Sequence, residues 1–449
     1  MATANGASKD VKNLDIVVIG AGMGGLACAL SLAKQGFTRI SVYETASNLG
    51  FVGAGIQLAP NLARILDRLG VWADIFKEAV EIRETSIREG ADEHELAHVD
   101  LSDIEAKYGY PHSVGHRSSL AGQLFEGCKG EKAITFHFST GAEEIKRWSS
   151  PPSFTAVPRN AEPYTVEADI ILAADGIKSA VRTSMLKEIN CDAQITDSKT
   201  AAYRIMLHRH QLEHDPELLE LIDSNRVTRW IGEKRHIIAY PVSSKQIYNI
   251  SSAQPDANFA EAPSVTYTTK GSKEAMLDVF HDFSPKVLRM LDLVPEGEVC
   301  EWRLRIHAPL PTWVHGEVAL VGDACHPTLP HLNQGAAQAV EDAAVLGVCL
   351  AKLPSTKPED IYKALRVYEK VRMDRAYLLV DMATQSGRAL HLGEGTAKEE
   401  RDKAFREAKE RGGKLPDRWA DADVQKMIFG TDIWKKAEDE FDELFGAVS

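Results

Sequence analysis

Apolar positions near the start of the chain change period twice in quick succession. Leu14 and Ile16-Val17-Val18-Ile19 form a short apolar run, the pattern of a strand covered on both faces. From Leu26 to Gln35 the apolar residues fall at helical spacing, and Gly36 ends that pattern. Ile40 to Tyr43 reads as a second strand. Strand, helix and strand in this order predict a βαβ unit with parallel strands, and hence an α/β fold.

Similar patterns recur downstream. Residues 61–69 read as a helix capped by Asn61, and 82–99 alternate loosely, as strands of a second sheet do. An amphipathic helix runs from His116 through Phe125. Residues 133–147 and 153–168 read as hairpin strands about a Ser/Pro-rich turn. Ala168 to Ala174 is an apolar strand that runs into Asp175-Gly176 and then a helix. Residues 200–310 are β-rich apart from a helix over 273–292. A further strand, Val318 to Val321, meets Gly322-Asp323, and a helix follows from Gly335 through Leu350. Residues 358–415 read as charged, helical and solvated on one face, packed by Leu365, Tyr368, Tyr377 and Leu379; 421–446 reads as a final docking helix.

Composition narrows the partners. With 449 residues, 44% apolar and 26% charged, the chain reads as one large or two intimate domains of ordinary soluble protein. A formal net charge of −13 argues against nucleic acid or an anionic membrane as the main partner. It leaves a small anionic substrate open, because local charge governs a pocket. The six cysteines are scattered without a C-x-x-C, which reads as buried thiols in a cytoplasmic protein with no metal site. Residues 1–13 carry no signal or transit pattern and read as a flexible tail. No apolar run approaches the ~20 residues that span a bilayer.

Chemistry is carried by glycines and acids at strand ends. Gly20-Ala21-Gly22-Met23-Gly24-Gly25 fits G-x-G-x-x-G between the first strand and its helix. Gly20 permits the tight turn, Gly22 lets backbone approach a pyrophosphate, and Gly25 packs helix on strand. Glu44 ends the second strand, where an acid accepts hydrogen bonds from ribose hydroxyls. These features in register predict a dinucleotide site. Gly53 and Gly55 let backbone lie close to something flat or phosphorylated. Arg117, near a helix start, is within reach of a phosphate or ribose. Gly335-Ala336 open a helix whose bare N–H groups suit an anion or a carbonyl.

Gly20-x-Gly22-x-x-Gly25, Asp175-Gly176 and Gly322-Asp323 with Pro330 together resemble the single-component FAD-dependent aromatic hydroxylases. This is the family of para-hydroxybenzoate and salicylate hydroxylases, and the match spans roughly residues 14–375. The stretches Val52–Asn61 and Gln334–Asp342 look most like salicylate hydroxylases and related hydroxybenzoate or hydroxynicotinate hydroxylases. The resemblance implies a Rossmann-like FAD-binding domain with an inserted β-sheet substrate domain and a helical C-terminal region. The FAD-binding domain would take 14–199, with some substrate-sheet strands, and return at 311–375. The substrate sheet would take 200–310 and the helical region 376–449.

The resemblance also implies roles. Glu44 would bind the adenosine ribose, Arg117 the ribose and pyrophosphate side of FAD, and Asp323 its ribityl or pyrophosphate part. The Gly335-Ala336 amides would meet the pyrimidine edge of the flavin, and Asp175-Gly176 is associated with both FAD and NAD(P)H use. Arg204 and Tyr240 would hold a phenol, and His331 would face flavin and substrate. Asn333 departs from the pattern, where many relatives have glycine. With no second G-x-G-x-x-G, NAD(P)H would bind transiently.

The implied reaction is hydroxylation of a phenolic aromatic acid with O2 and NAD(P)H through a flavin C4a-hydroperoxide. Decarboxylating conversions are favoured, salicylate to catechol or 4-hydroxybenzoate to hydroquinone. A polyketide phenol or a hydroxynicotinate is the alternative substrate, and a non-catalytic FAD-binding protein the alternative of another class.

Overall fold

The computed structural model describes residues 10–50, 54–193, 195–257, 268–411 and 414–448. Residues 1–9 of the expected tail, and Val52 and Gly53 of the glycine loop, lie outside the described residues. Residues 10–13 belong to the fold: Val11–Asn13 is a 3-10 turn capped by Asp10, and the Lys12 carbonyl accepts from Thr38 N at 2.9 Å.

One sheet has six strands in the order Val314–His315, Val318–Leu320, Ile170–Ala173, Asp15–Ile19, Arg39–Tyr43, Ile134–His137. All neighbours are parallel except the outermost pair at Val314–His315. The inner strands are apolar apart from Asp15, Arg39 and Ser41, because helices cover them. Helices Met23–Lys34, Gly335–Ala351 and Ile433–Ala447 share this sheet's core. The carboxyl ends of the opening strand, Ile170–Ala173 and Val318–Leu320 point the same way. Chain order reverses across the central strand, which is where such sheets bind ligands.

The second sheet has eight strands, in the order Thr268–Lys270, Cys300–His307, Ile195–His208, Ile247–Pro255, Arg235–Val242, Arg226–Gly232, Glu84–Glu89, Glu95–Asp100. It is antiparallel apart from the pair Arg226–Gly232 with Glu84–Glu89. Tyr203, Ile205, Ile237 and Ala239 pack one face onto short helices through Leu218, Phe280 and Met290. The residues between them in sequence face the first sheet's ligand end. The sheet therefore starts at Ile195 and borrows two strands from 84–100, as the loose alternation there suggests.

Several local readings change. Ile134–His137 does not hairpin with the next strand; it joins the parallel sheet, Val42 opposite Phe136. Thr140–Arg147, Ser153–Pro158 and Tyr164–Glu167 form a separate antiparallel sheet. Asn61 is not a cap. Ala59 holds that position, Pro60 opens the helix with its fixed φ, and the buried Asn61 amide donates to Gln334 (3.0 Å) and Glu341 (2.8 Å). The helix expected over 273–292 is two, Lys273–Val279 and Pro285–Asp292, the second starting afresh at Pro285 with Ser284 as its side-chain cap. Residues 358–415 likewise divide into Pro358–Leu390 and Thr396–Arg411, and the last helix into Ala422–Phe429 and Ile433–Ala447. Among the described residues no helix is long and apolar enough to cross a membrane.

Candidate active site

The glycine turn is built as the motif requires. Gly20 has φ +97°, and a Cβ there would lie 2.5 Å from the Ala174 carbonyl oxygen. A Cβ on Gly25 would lie 1.9 Å from the Gly20 oxygen, so only glycine lets the helix start against its own turn. Gly22 differs: nothing lies within 4 Å of its Cβ position, and it lines a cavity. The Glu44 carboxylate is bound to the same turn, accepting from Ala21 N (2.7 Å) and Ala46 N (2.8 Å). It stands beside the cavity and is not part of its lining.

That cavity has a volume of about 370 Å³ and lies between the two sheets. Gly22, Gly24, Ala174, Gly176 and Gly322 form its glycine-rich wall. Arg117, Asp323, Gly335 and Ala336 also line it. Asp323 is accessible through the cavity mouth, yet protein surrounds it closely enough that burial pushes its carboxyl up, against the pull of His326 and Arg117. Asp175 behaves otherwise than expected of a cofactor contact. Its carboxylate turns back and caps the helix Ala180–Glu188, accepting from Ala180 N (2.9 Å) and Val181 N (3.3 Å). Its neighbours Ala174 and Gly176 face the cavity in its place.

The floor is the second sheet. Arg204 pairs across strands with Ser251, Ser251 with Ile238, and Ile238 with Arg229, and all four line the cavity. They form one row at right angles to the strands, with a guanidinium at each end. Arg229 is buried and bound to the buried Asp417 carboxylate at 2.9 Å. Arg204 lies 4.8 Å over the Trp302 ring and has no carboxylate partner among the described residues. Burial and the nearby Arg117 charge both lower its pKa, so its charge is poorly compensated.

Tyr240 lies two residues beyond Ile238 on the same face, and His236 two residues before it. Burial raises the Tyr240 phenol, opposed by the Arg204 charge, so it stays a hydrogen-bond donor. Gly55 sits against this pair of strands. Its N–H donates to Asn249 Oδ1 at 2.6 Å, and a Cβ there would strike Asn249 and the Tyr240 ring. The flat group expected near Gly55 is thus, in the chain itself, Tyr240.

His331 does not face the cavity. Pro330–Leu332 is a 3-10 turn, which eclipses residues three apart, so Pro330 and Asn333 line the cavity while His331 turns behind it. Asn333 closes the turn at φ +55°, with its Nδ2 buried and unpartnered. The His331 ring packs where a Cβ on Gly387 would be, and burial holds its pKa down to about 3. It stands edge-on to His236 (5.4 Å) and His391 (5.5 Å). The histidine at the cavity is His236. Period-two alternation in His236-Ile-Ile-Ala-Tyr240 carried that signal, since it puts His236 on the Tyr240 face.

Behind Gly322, Cys325, His326 and Asp342 converge closely enough to hold a metal ion. Asp342 is already committed. It accepts from Gly322 N (2.8 Å), His326 Nε2 (2.6 Å) and Arg372 Nε (2.8 Å), while Arg372 also reaches Glu341 (2.6 Å). A guanidinium supplies the charge that a cation would, and the cluster braces the Gly322 turn.

An open position at Gly22, a carboxylate at Asp323, a cation at Arg117 and a helix start at Gly335 fit an elongated diphosphate cofactor along this wall. The family model described as FAD binding domain matches residues 13–383. FAD-dependent monooxygenase ntnJ of Nectria sp is 30% identical over 428 residues, 94% of this chain and 94% of that protein. The chain belongs to this family of FAD-dependent monooxygenases. Another relative of the flavoprotein is 3-hydroxybenzoate 6-hydroxylase 1 of Aquipseudomonas alcaligenes, 32% identical over 80% of this chain and 85% of its own length. A salicylate hydroxylase in complex with its substrate shares the monooxygenase's fold, with TM-score 0.77 at 24% identity over 97% of this chain and 98% of that one.

Proposed function

We propose that this flavin-dependent monooxygenase hydroxylates a phenolic aromatic acid, with NAD(P)H and O2 as co-substrates. The observation that carries the reading is Arg204, a largely buried guanidinium on the cavity floor with no carboxylate partner among the described residues. A buried cation without its counter-ion calls for an anionic ligand. FAD, when bound, supplies the redox chemistry that activates O2 for transfer to an electron-rich ring.

The chain's own groups divide the remaining work. The turn Gly20, Gly22, Gly25 with Glu44 would hold the adenosine end of FAD. Arg117 would meet its diphosphate and Asp323 a chain hydroxyl. The first amides of the helix at Gly335 and Ala336 would meet a flavin carbonyl. Asp175 would act through the backbone turn it fixes rather than by contact.

A phenol has a pKa near 10, so little phenolate exists at pH 7 without help. The Arg204 charge favours the anion and His236 accepts the phenol proton, while Tyr240, four residues further along the same strand, donates a hydrogen bond to the other end of the ligand. His236 thus takes the part that His331 has on the sequence pattern. Where the attacked carbon carries the carboxylate, CO2 leaves and a diol remains.

The test is O2 uptake with NADH and with NADPH in the presence of salicylate, 3-hydroxybenzoate, 4-hydroxybenzoate and 6-hydroxynicotinate. The expected result is stimulated uptake by at least one acid, and a product carrying one atom from labelled O2. Release of CO2 separates the decarboxylating course from simple hydroxylation. Uptake that no aromatic acid stimulates, or that yields only peroxide, would overturn the substrate class.

A further inference from the structure

Arg204 and Trp302 stand on neighbouring strands, Ile195–His208 and Cys300–His307. Ala202 opposes Trp302 and Arg204 opposes Cys300, so the two side chains are diagonal neighbours on one face of the sheet. Arg204 lines the cavity, so this is the face that floors it. Arg204 Cζ lies over the Trp302 ring, 4.8 Å from its centre. Glu301, the carboxylate next to Trp302 in sequence, opposes Tyr203 and so belongs to the other face. Among the described residues the Arg204 guanidinium makes no hydrogen bond and no ion pair, and the indole is the group that meets its charge. Trp302 is partly buried and stands outside the cavity lining.

A carboxylate and an aromatic ring compensate a guanidinium in different ways. A carboxylate accepts hydrogen bonds from the N–H fork and so occupies its donors. A ring attracts the cation through its negative face and leaves the N–H edges free. Arg229, at the other end of the same row, is held in the first way, its Nη1 donating to Asp417 Oδ2 at 2.9 Å. Arg204 is held in the second. Burial and the Arg117 charge both work against the Arg204 cation, and the ring face offsets part of that cost without closing the site.

We propose that Trp302 is a positioning residue for acid recognition: its ring holds the Arg204 guanidinium at the cavity floor with the N–H donors free for the carboxylate of the substrate. This rests on the reading of the substrate as an aromatic acid and of Arg204 as its anchor. Trp302 acts through Arg204 and does not touch the substrate. The row of floor residues then has one guanidinium bound within the protein and one left for the ligand. Asp417 and Trp302 decide which is which.

The experiment measures the affinity of the FAD-loaded protein for salicylate, 3-hydroxybenzoate, 4-hydroxybenzoate and 6-hydroxynicotinate from the change in the flavin bands. In Trp302→Leu the dissociation constant of an acid that binds wild type should rise about tenfold, the loss expected of a desolvated cation–π contact. Trp302→Phe keeps a ring face and should stay within about threefold of wild type. Trp302→Met repeats the first comparison with an unbranched side chain, and the far-ultraviolet spectrum reports folding of all three. A packing role would weaken binding whether or not Arg204 is present. A role through the guanidinium would not, so adding Trp302→Leu to Arg204→Ala should change affinity by less than about twofold. A folded Trp302→Leu or Trp302→Met with wild-type affinity would overturn the role of Trp302 and leave Arg204 as the anchor. So would a Trp302→Phe as weak as Trp302→Leu, or a full tenfold loss on adding Trp302→Leu to Arg204→Ala. Wild type that binds none of the four acids would overturn the aromatic-acid reading and the role of Trp302 with it.

Discussion

Two glycines three residues apart do different jobs, and their substitutions separate cofactor binding from folding. Gly22→Ala adds a methyl to open space on the cavity wall, so the melting temperature of the apoprotein should change little while FAD affinity falls by about tenfold or more. Gly25→Ala puts a methyl 1.9 Å from the Gly20 oxygen and should cost several kcal/mol, on the order of the larger core substitutions. FAD titration and thermal melts check both; equal FAD affinity in Gly22→Ala and wild type would contradict the cofactor wall. These positions were legible in the sequence because local backbone geometry alone demands them. His331 was not. Nothing in Pro330-His331-Leu332-Asn333 says whether the turn is 3-10 or α, and that choice decides which side chain meets the cavity. Asp175 was half legible: strand, turn and helix are where the motif puts them, but helix capping takes the carboxylate.

At the scale of elements, the helices Gly335–Ala351 and Pro358–Leu390 are joined by Arg372, fully buried between Glu341 and Asp342. Arg375 also pairs with Glu341, at 2.8 Å, whereas Arg372 alone bridges both carboxylates, so removal of Arg372 is the costly change and leaves buried Asp342 without a guanidinium. Arg372→Met should destabilise by about 3–5 kcal/mol, measured by urea unfolding, and a loss under 1 kcal/mol would show that the network is not the brace described. Asp342 also holds the Gly322 N–H, so FAD retention should weaken with it. The strands and helices themselves were read from periodicity, which reports burial of a face. Their breaks were not, at Pro285, after His391 and at Gly430, because helical pattern continues across them. The sheet order also lay beyond periodicity: the pairing of 84–100 with the edge of the second sheet is long-range.

Across the whole molecule, buried neutral histidines tie the fold to pH. Burial holds His112 and His391 to about 4 and His331 to about 3, against an ordinary value near 6.5. Between pH 6.5 and 5 the unfolded chain takes up protons at these rings and the folded one does not. Their stabilising contribution is complete above pH 6.5 and is lost as pH falls. Each contributes a slope of up to about 1.4 kcal/mol per pH unit. The melting temperature should therefore drop clearly from pH 7 to pH 5, well above the range where carboxylates titrate. A flat profile there would mean that these rings are not buried neutral.

The central claim is that a phenolic acid and the flavin share one cavity whose floor is anchored by Arg204. The most direct measurement is the visible spectrum of the FAD-loaded protein during titration with salicylate, 3-hydroxybenzoate, 4-hydroxybenzoate and 6-hydroxynicotinate, in wild type and in Arg204→Ala. A saturable change in the flavin bands is predicted for wild type. In Arg204→Ala the acid's affinity should fall about a hundredfold, with FAD still bound, the loss expected when a buried charged partner is removed. No spectral change with any of the four acids, or the same affinity without Arg204, would contradict it.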